Sequence, residues 1–95
     1  MDRKDLYQGE MERKMAELGA KMDEMQAKAE LATADKRAEM NRHLEEINAR
    51  RTDAQKRLDE IKASSDSAFE TVQAGFQAAW EDLSQSFAEA SKKFQ

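Results

Sequence analysis

The stretch Glu10-Met11-Glu12-Arg13-Lys14-Met15-Ala16-Glu17-Leu18-Gly19-Ala20-Lys21-Met22-Asp23-Glu24-Met25 decides the fold. Its apolar residues are Met11, Met15, Leu18, Met22 and Met25, and the series continues to Ala29 and Ala32. The steps alternate between four and three, which is the seam of a heptad coiled coil. At about 100° per residue these positions share one helical face about 100° wide. The charges follow the same period. Glu10–Lys14, Glu17–Lys21 and Glu24–Lys28 are four-residue pairs with the acid first, each adding about 0.2–0.5 kcal/mol to a helix.

Further along, Met40, Leu44, Ile47, Arg51, Ala54, Leu58 and Ile61 repeat the alternation. Glu46–Arg50 and Asp53–Arg57 repeat the charge pattern. The second seam is out of phase with the first by one residue. Two consecutive four-residue steps, Ala32–Lys36–Met40, absorb such a slip by local unwinding. Thr33 and Asp35 are cap-type residues there, but neither starts a full capping box. The expectation is one charged heptad helix over residues 1–63, with a seam slip near 30–39. Lys36 and Arg51 sit on seam positions, where a charge commonly selects register or oligomer state, although their stems can also reach out at the flank.

Lys62-Ala63-Ser64-Ser65-Asp66-Ser67 follows. Ser67-x-x-Glu70 reads as a capping box, so a turn is expected at 64–67 in preference to an uninterrupted rod. The last segment, 67–95, holds all four phenylalanines and the one tryptophan. Phe69, Val72, Phe76, Trp80, Leu83, Phe87, Ala90 and Phe94 lie within an arc of about 80°. They repeat with a period of 11, as in Phe69 with Trp80 and Val72 with Leu83.

Composition narrows the function. The chain has 95 residues, no cysteine, no proline and 38% charged residues, with a mean hydropathy of −0.99. These are the proportions of helices and coiled coils. Disulfides, thiolate zinc sites and thiol catalysis are excluded. The net charge is −4. Residues 65–95 carry bases only at Lys92 and Lys93, so nucleic acid is not an expected partner. Gly9, Gly19 and Gly75 are isolated and make no phosphate loop. Adjacent carboxylates such as Glu45–Glu46 point about 100° apart on a helix, and no calcium loop pattern occurs. Catalytic residues and cofactors are therefore not expected. Without a leader or a long apolar run, a soluble, cytoplasmic protein with no transmembrane segment is the default expectation.

Three functional readings remain. A 1–63 helix would be about 90 Å long and the tail helix about 42 Å. A tail that folds back then leaves the first seam facing water, which argues for a second copy. The expected class is all-α: a long coiled-coil helix and a shorter amphipathic helix, as hairpin or rod, in a homo-oligomeric bundle. Its seam would be Met15, Leu18, Met22, Met25, Leu44, Ile47, Arg51, Leu58 and Ile61. The second reading lays Phe69, Val72, Phe76, Trp80, Leu83, Phe87 and Phe94 on a neutral lipid or polymer-granule surface. Glu70, Glu81, Asp82 and Glu89 disfavour an anionic membrane. The third gives Met11, Met15, Met22, Met25 and Met40, with His43 one turn from Met40, to a soft metal such as copper(I) or silver(I). Core packing is the plainer use of those thioethers, and His43, beside Leu44, is expected at the surface.

The pattern of Leu58-Asp59-Glu60-Ile61-Lys62, Ala79-Trp80-Glu81-Asp82-Leu83 and Ser86-Phe87-Ala88-Glu89-Ala90 resembles a family of small bacterial coiled-coil proteins of about a hundred residues. They are mostly uncharacterised and sometimes labelled stress-response proteins. The resemblance implies a non-enzymatic structural or stress-related role and brings no catalytic residues. The tail is also similar to the amphipathic helices of phasins and apolipoproteins, which coat hydrophobic surfaces. The methionine-rich first stretch departs from both, where leucine and isoleucine are commoner.

Overall fold

A computed structural model describes residues 2–94. They form three helices: α1 (Arg3–Glu30), α2 (Ala34–Ala63) and α3 (Phe69–Lys93). The molecule measures 51 × 20 × 18 Å. A 30-residue helix alone is about 45 Å long, so the three lie side by side.

Their directions follow from their end contacts. Lys4 Nζ, at the start of α1, donates to the Ser64 carbonyl just after α2, at 2.9 Å. Tyr7 meets Phe69 at the start of α3, with ring centroids 6.0 Å apart. Phe94, after α3, meets His43 near the start of α2 at 5.5 Å. Thus α1 and α3 run parallel and α2 runs against both. The principal packing is α2 against α1 and α2 against α3.

The expected continuous helix over 1–63 is broken at Leu31–Thr33. Leu31 and Ala32 stay helical enough to donate back to Lys28 and Ala29. Thr33 then takes φ −62°, ψ 161°, and its hydroxyl accepts from Lys36 N at 3.4 Å, starting α2. The break falls where the seam slips, because a turn resolves the phase difference and lets α1 fold back onto α2. No glycine, proline or positive φ marks it.

The second break lies at 64–68. The Ser67–Glu70 capping box does not form there. Ala68 is the cap residue, with no side-chain bond. Ser67 Oγ pairs instead with Ser65 Oγ at 3.1 Å. Ser64 ends α2 by donating its hydroxyl to the Ile61 carbonyl at 2.7 Å.

Folding α1 back changes what covers the first seam. Met11, Met15, Leu18, Met22, Met25 and Ala29 are all buried within the one chain. They share a single core with Met40, Ile47, Ala54, Leu58, Ile61, Phe69, Phe76, Leu83 and Ala90. Contrary to expectation, the methionine seam does not face water in a single copy, because α2 and α3 cover it.

The most deeply buried positions have their own spacing. The buried positions of α3 are Phe69, Phe76, Leu83 and Ala90, seven residues apart. Those of α2 include Met40, Ile47, Ala54 and Ile61, at the same spacing. The 11-residue repeat in α3 is a property of the sequence, while its packing follows heptads, as neighbouring helices of a bundle require.

Candidate functional site

Two surfaces hold the residues singled out above: the methionine row of α1 and the aromatic face of α3. Of the expected seam, Met15, Leu18, Met22, Met25, Ile47, Leu58 and Ile61 are buried, while Leu44 and Arg51 are half-buried. Arg51 reaches across α1 at Gly19, as expected of a stem that leaves the seam at its flank. Lys36 is exposed, and its ammonium lies 5.4 Å over the Phe94 ring.

The aromatic face is unevenly covered. Phe69, Phe76 and Leu83 are buried, whereas Val72, Trp80, Phe87 and Phe94 are half-buried. Phe76 stacks with Trp80 at 6.4 Å and takes the Tyr7 edge at 6.3 Å. The Tyr7 hydroxyl donates to Gln77 Oε1 at 3.0 Å. Burial pushes its pKa up, the Gln73 side chain pulls it down, and Glu10 adds a smaller upward push.

A groove of about 290 Å³ runs between α1 and α3. Its floor is Met25, Met40, Phe87 and Phe94, and Lys21, Glu24, Lys28 and Ser91 edge it. A second, more polar groove lies between α1 and α2, with Met22, Leu44 and Arg51 in its wall. The core methionines Met22, Met25 and Met40 thus line grooves beside α1.

His43 is half-buried, not a free surface residue. Its ring meets Phe94 edge-on at 5.5 Å. Beside it, Lys93 pairs with Glu39 at 2.9 Å. That hydrogen bond is the main reason the Glu39 carboxyl sits below its usual range; slight burial opposes it, and the charges of Lys93, Lys36 and His43 assist. Arg50 joins Glu46 at 2.9 Å to Asp82 at 3.4 Å, tying α2 to α3.

Of the expected same-helix pairs, Glu10–Lys14, Glu46–Arg50 and Asp53–Arg57 close to 3.8, 2.9 and 3.2 Å. Sequence reasoning missed the cross-helix pairs Arg50–Asp82 and Glu39–Lys93, which depend on the bundle's register. It also missed Tyr7, whose packing on Phe69 depends on α1 lying beside α3. No helix among the described residues is long and apolar enough to cross a membrane.

The chain matches no family model, no curated protein and no solved structure.

Proposed function

We propose that this protein is a non-enzymatic structural protein that self-associates by exchanging α1 between copies. The 31–33 turn straightens, α1 and α2 become one helix, and α1 of each copy packs on α2 and α3 of the other. The observation that carries this reading is the turn itself. It links helices of 28 and 30 residues through Leu31-Ala32-Thr33, with no glycine or proline and no positive φ. Every residue in it can join a helix. It also leaves Leu31 91% exposed, the most exposed large apolar side chain among the described residues. A hinge this short is a low-cost route to swapped dimers, because each copy regains the contacts it releases. A structural or stress-related role is the one implied by the resemblance to small bacterial coiled-coil proteins.

Sedimentation velocity tests this reading on protein refolded at micromolar and at millimolar concentration. A dimer that grows with refolding concentration, and that Ala34→Pro abolishes, is expected. Thr33 is already extended, as a residue before proline prefers, and the first helical position tolerates proline. That variant keeps the turn and forbids the continuous helix. A monomer after both refolding conditions contradicts the reading.

A second reading draws on the half-buried Trp80, Phe87 and Phe94. Release of α1 uncovers this strip for a neutral lipid or polymer-granule surface. A blue shift of Trp80 emission on zwitterionic vesicles, absent on anionic ones, is its expected signature.

A further inference from the structure

We infer that the methionines lining the two α1 grooves are a site of reversible oxidation that controls whether α1 stays on the bundle. The three helices contribute unlike core residues. α1 brings Met11, Met15, Met22 and Met25 beside a single leucine, Leu18, whereas α3 brings Phe69, Phe76 and Leu83. The interface that α1 makes is thus largely thioether, and the one between α2 and α3 is hydrocarbon and aromatic apart from Met40. Met22 and Met25 are the most exposed of the row, at 7% and 6%. Met22 stands in the wall of the α1–α2 groove, and Met25 and Met40 form the floor of the α1–α3 groove. These three core methionines thus border grooves through which a small oxidant approaches.

The chemistry balances with a peroxide as the named oxidant. A thioether lone pair attacks one peroxide oxygen, the O–O bond breaks and an S–O bond forms. The second oxygen leaves as water after proton transfer. Sulfur loses two electrons, and the peroxide gains them. The product is a polar, chiral sulfoxide, which disrupts methionine-rich interfaces and which sulfoxide reductases return to the thioether. Placed on Met22 or Met25 of α1, it weakens the hold of α1, while the α2–α3 pair, whose one methionine is the less exposed Met40, keeps its packing. The inference holds whether or not a released α1 finds a second copy.

Graded hydrogen peroxide on the full chain, followed by peptide mass spectrometry and amide hydrogen exchange, tests it. Met22 and Met25 are expected to oxidise ahead of Met11 and Met15. Amide protection should then fall in α1 while α2 and α3 keep theirs, and the melting temperature should drop by more than about 8 °C. A methionine sulfoxide reductase with a thiol reductant should restore both. The Met22→Leu, Met25→Leu, Met40→Leu variant, a volume-conserving change, should keep α1 protected under the same peroxide. Equal oxidation rates along the row overturn the inference. So does a sulfoxide-bearing chain with unchanged α1 protection, or a leucine variant that loses α1 as readily as the parent.

Discussion

The Arg51 guanidinium of α2 occupies the space that a side chain at Gly19 of α1 would take. A Cβ on Gly19 would stand 2.9 Å from Arg51 Nη2 and 3.3 Å from Cζ. A half-buried charge on the α1–α2 seam thus has an outlet because α1 carries no side chain there. Gly75 of α3 repeats the arrangement with Arg57 Nη1 at 3.3 Å. Both arginines come from the central helix, one facing each neighbour.

This relationship sets an order among glycine substitutions. Gly9 has nothing within 4 Å of its missing Cβ. Gly9→Ala should therefore gain the full helix preference of about 0.8–1 kcal/mol. Gly19→Ala gains less, because Arg51 must move, and Arg51→Ala should restore the difference. Urea unfolding of the two single variants and the Gly19→Ala, Arg51→Ala double variant measures this. Equal gains at Gly9 and Gly19 in the parent would show that Arg51 does not fill the notch.

Core substitutions should separate buried from half-buried aromatics. Phe76 is fully covered, so Phe76→Ala should cost about 3–5 kcal/mol. Trp80→Ala should cost visibly less despite the larger ring, since one side of it already meets solvent. Chemical denaturation of both variants decides the order.

Two titrating groups predict the shape of the stability profile. The Glu39 carboxyl is held below its ordinary value of 4.5, first by its hydrogen bond to Lys93. A lowered acid contributes above its unfolded pKa and loses that contribution as pH falls through the folded value. Tyr7 is raised above 10.0, chiefly by burial. Its contribution is present below 10.0 and is lost as pH rises through the raised value. Melting temperatures measured across pH should show Glu39→Gln flattening the acid limb and Tyr7→Phe flattening the alkaline one. A variant that shifts the whole curve without changing its shape contradicts the assignment.

The all-α class and most of the core were legible, because heptad steps name the buried face directly. Met11 through Ala29 are buried where the period placed them, as are Met40, Ile47, Ala54, Leu58 and Ile61, with Leu44 and Arg51 half-buried. The turn at 31–33 is only weakly marked in the sequence. Its signals are the slip across Ala32–Lys36–Met40, which local unwinding explains as well as a turn does, and the cap-type Thr33, which starts no full capping box. Length then carried the error forward. A 1–63 helix needs a partner, whereas two shorter helices cover each other. In α3 the 11-residue repeat and the heptad share Phe69, Phe76, Trp80, Leu83 and Phe87, then part where the heptad continues to buried Ala90 and the Phe69–Trp80 series to Ser91. Packing against α2, which no single-segment pattern contains, selected the heptad. Tyr7 and the arginine notches depend on which helices are neighbours and so had no sequence signature.

Ala34→Pro bears on the hinge from the monomer side. It restricts the unfolded chain at a position whose folded backbone already suits proline. The monomer should gain about 0.4–1 kcal/mol in urea unfolding. A loss of stability would mean that the turn is not held as described.

Exchange of α1 is most directly tested by a distance. Glu12 and Lys56 are exposed on α1 and α2, and the chain has no cysteine to interfere. Spin labels on Glu12→Cys and Lys56→Cys, in labelled chains diluted with excess unlabelled protein, report one chain at a time. In the monomer the labels sit on packed helices with axes about 10 Å apart. In the proposed exchanged dimer, one continuous helix would separate the two backbone positions by about 66 Å. Pulsed dipolar spectroscopy of the isolated dimer should show the long distance replacing the short one. A dimer that retains the short distance contradicts exchange through the 31–33 turn.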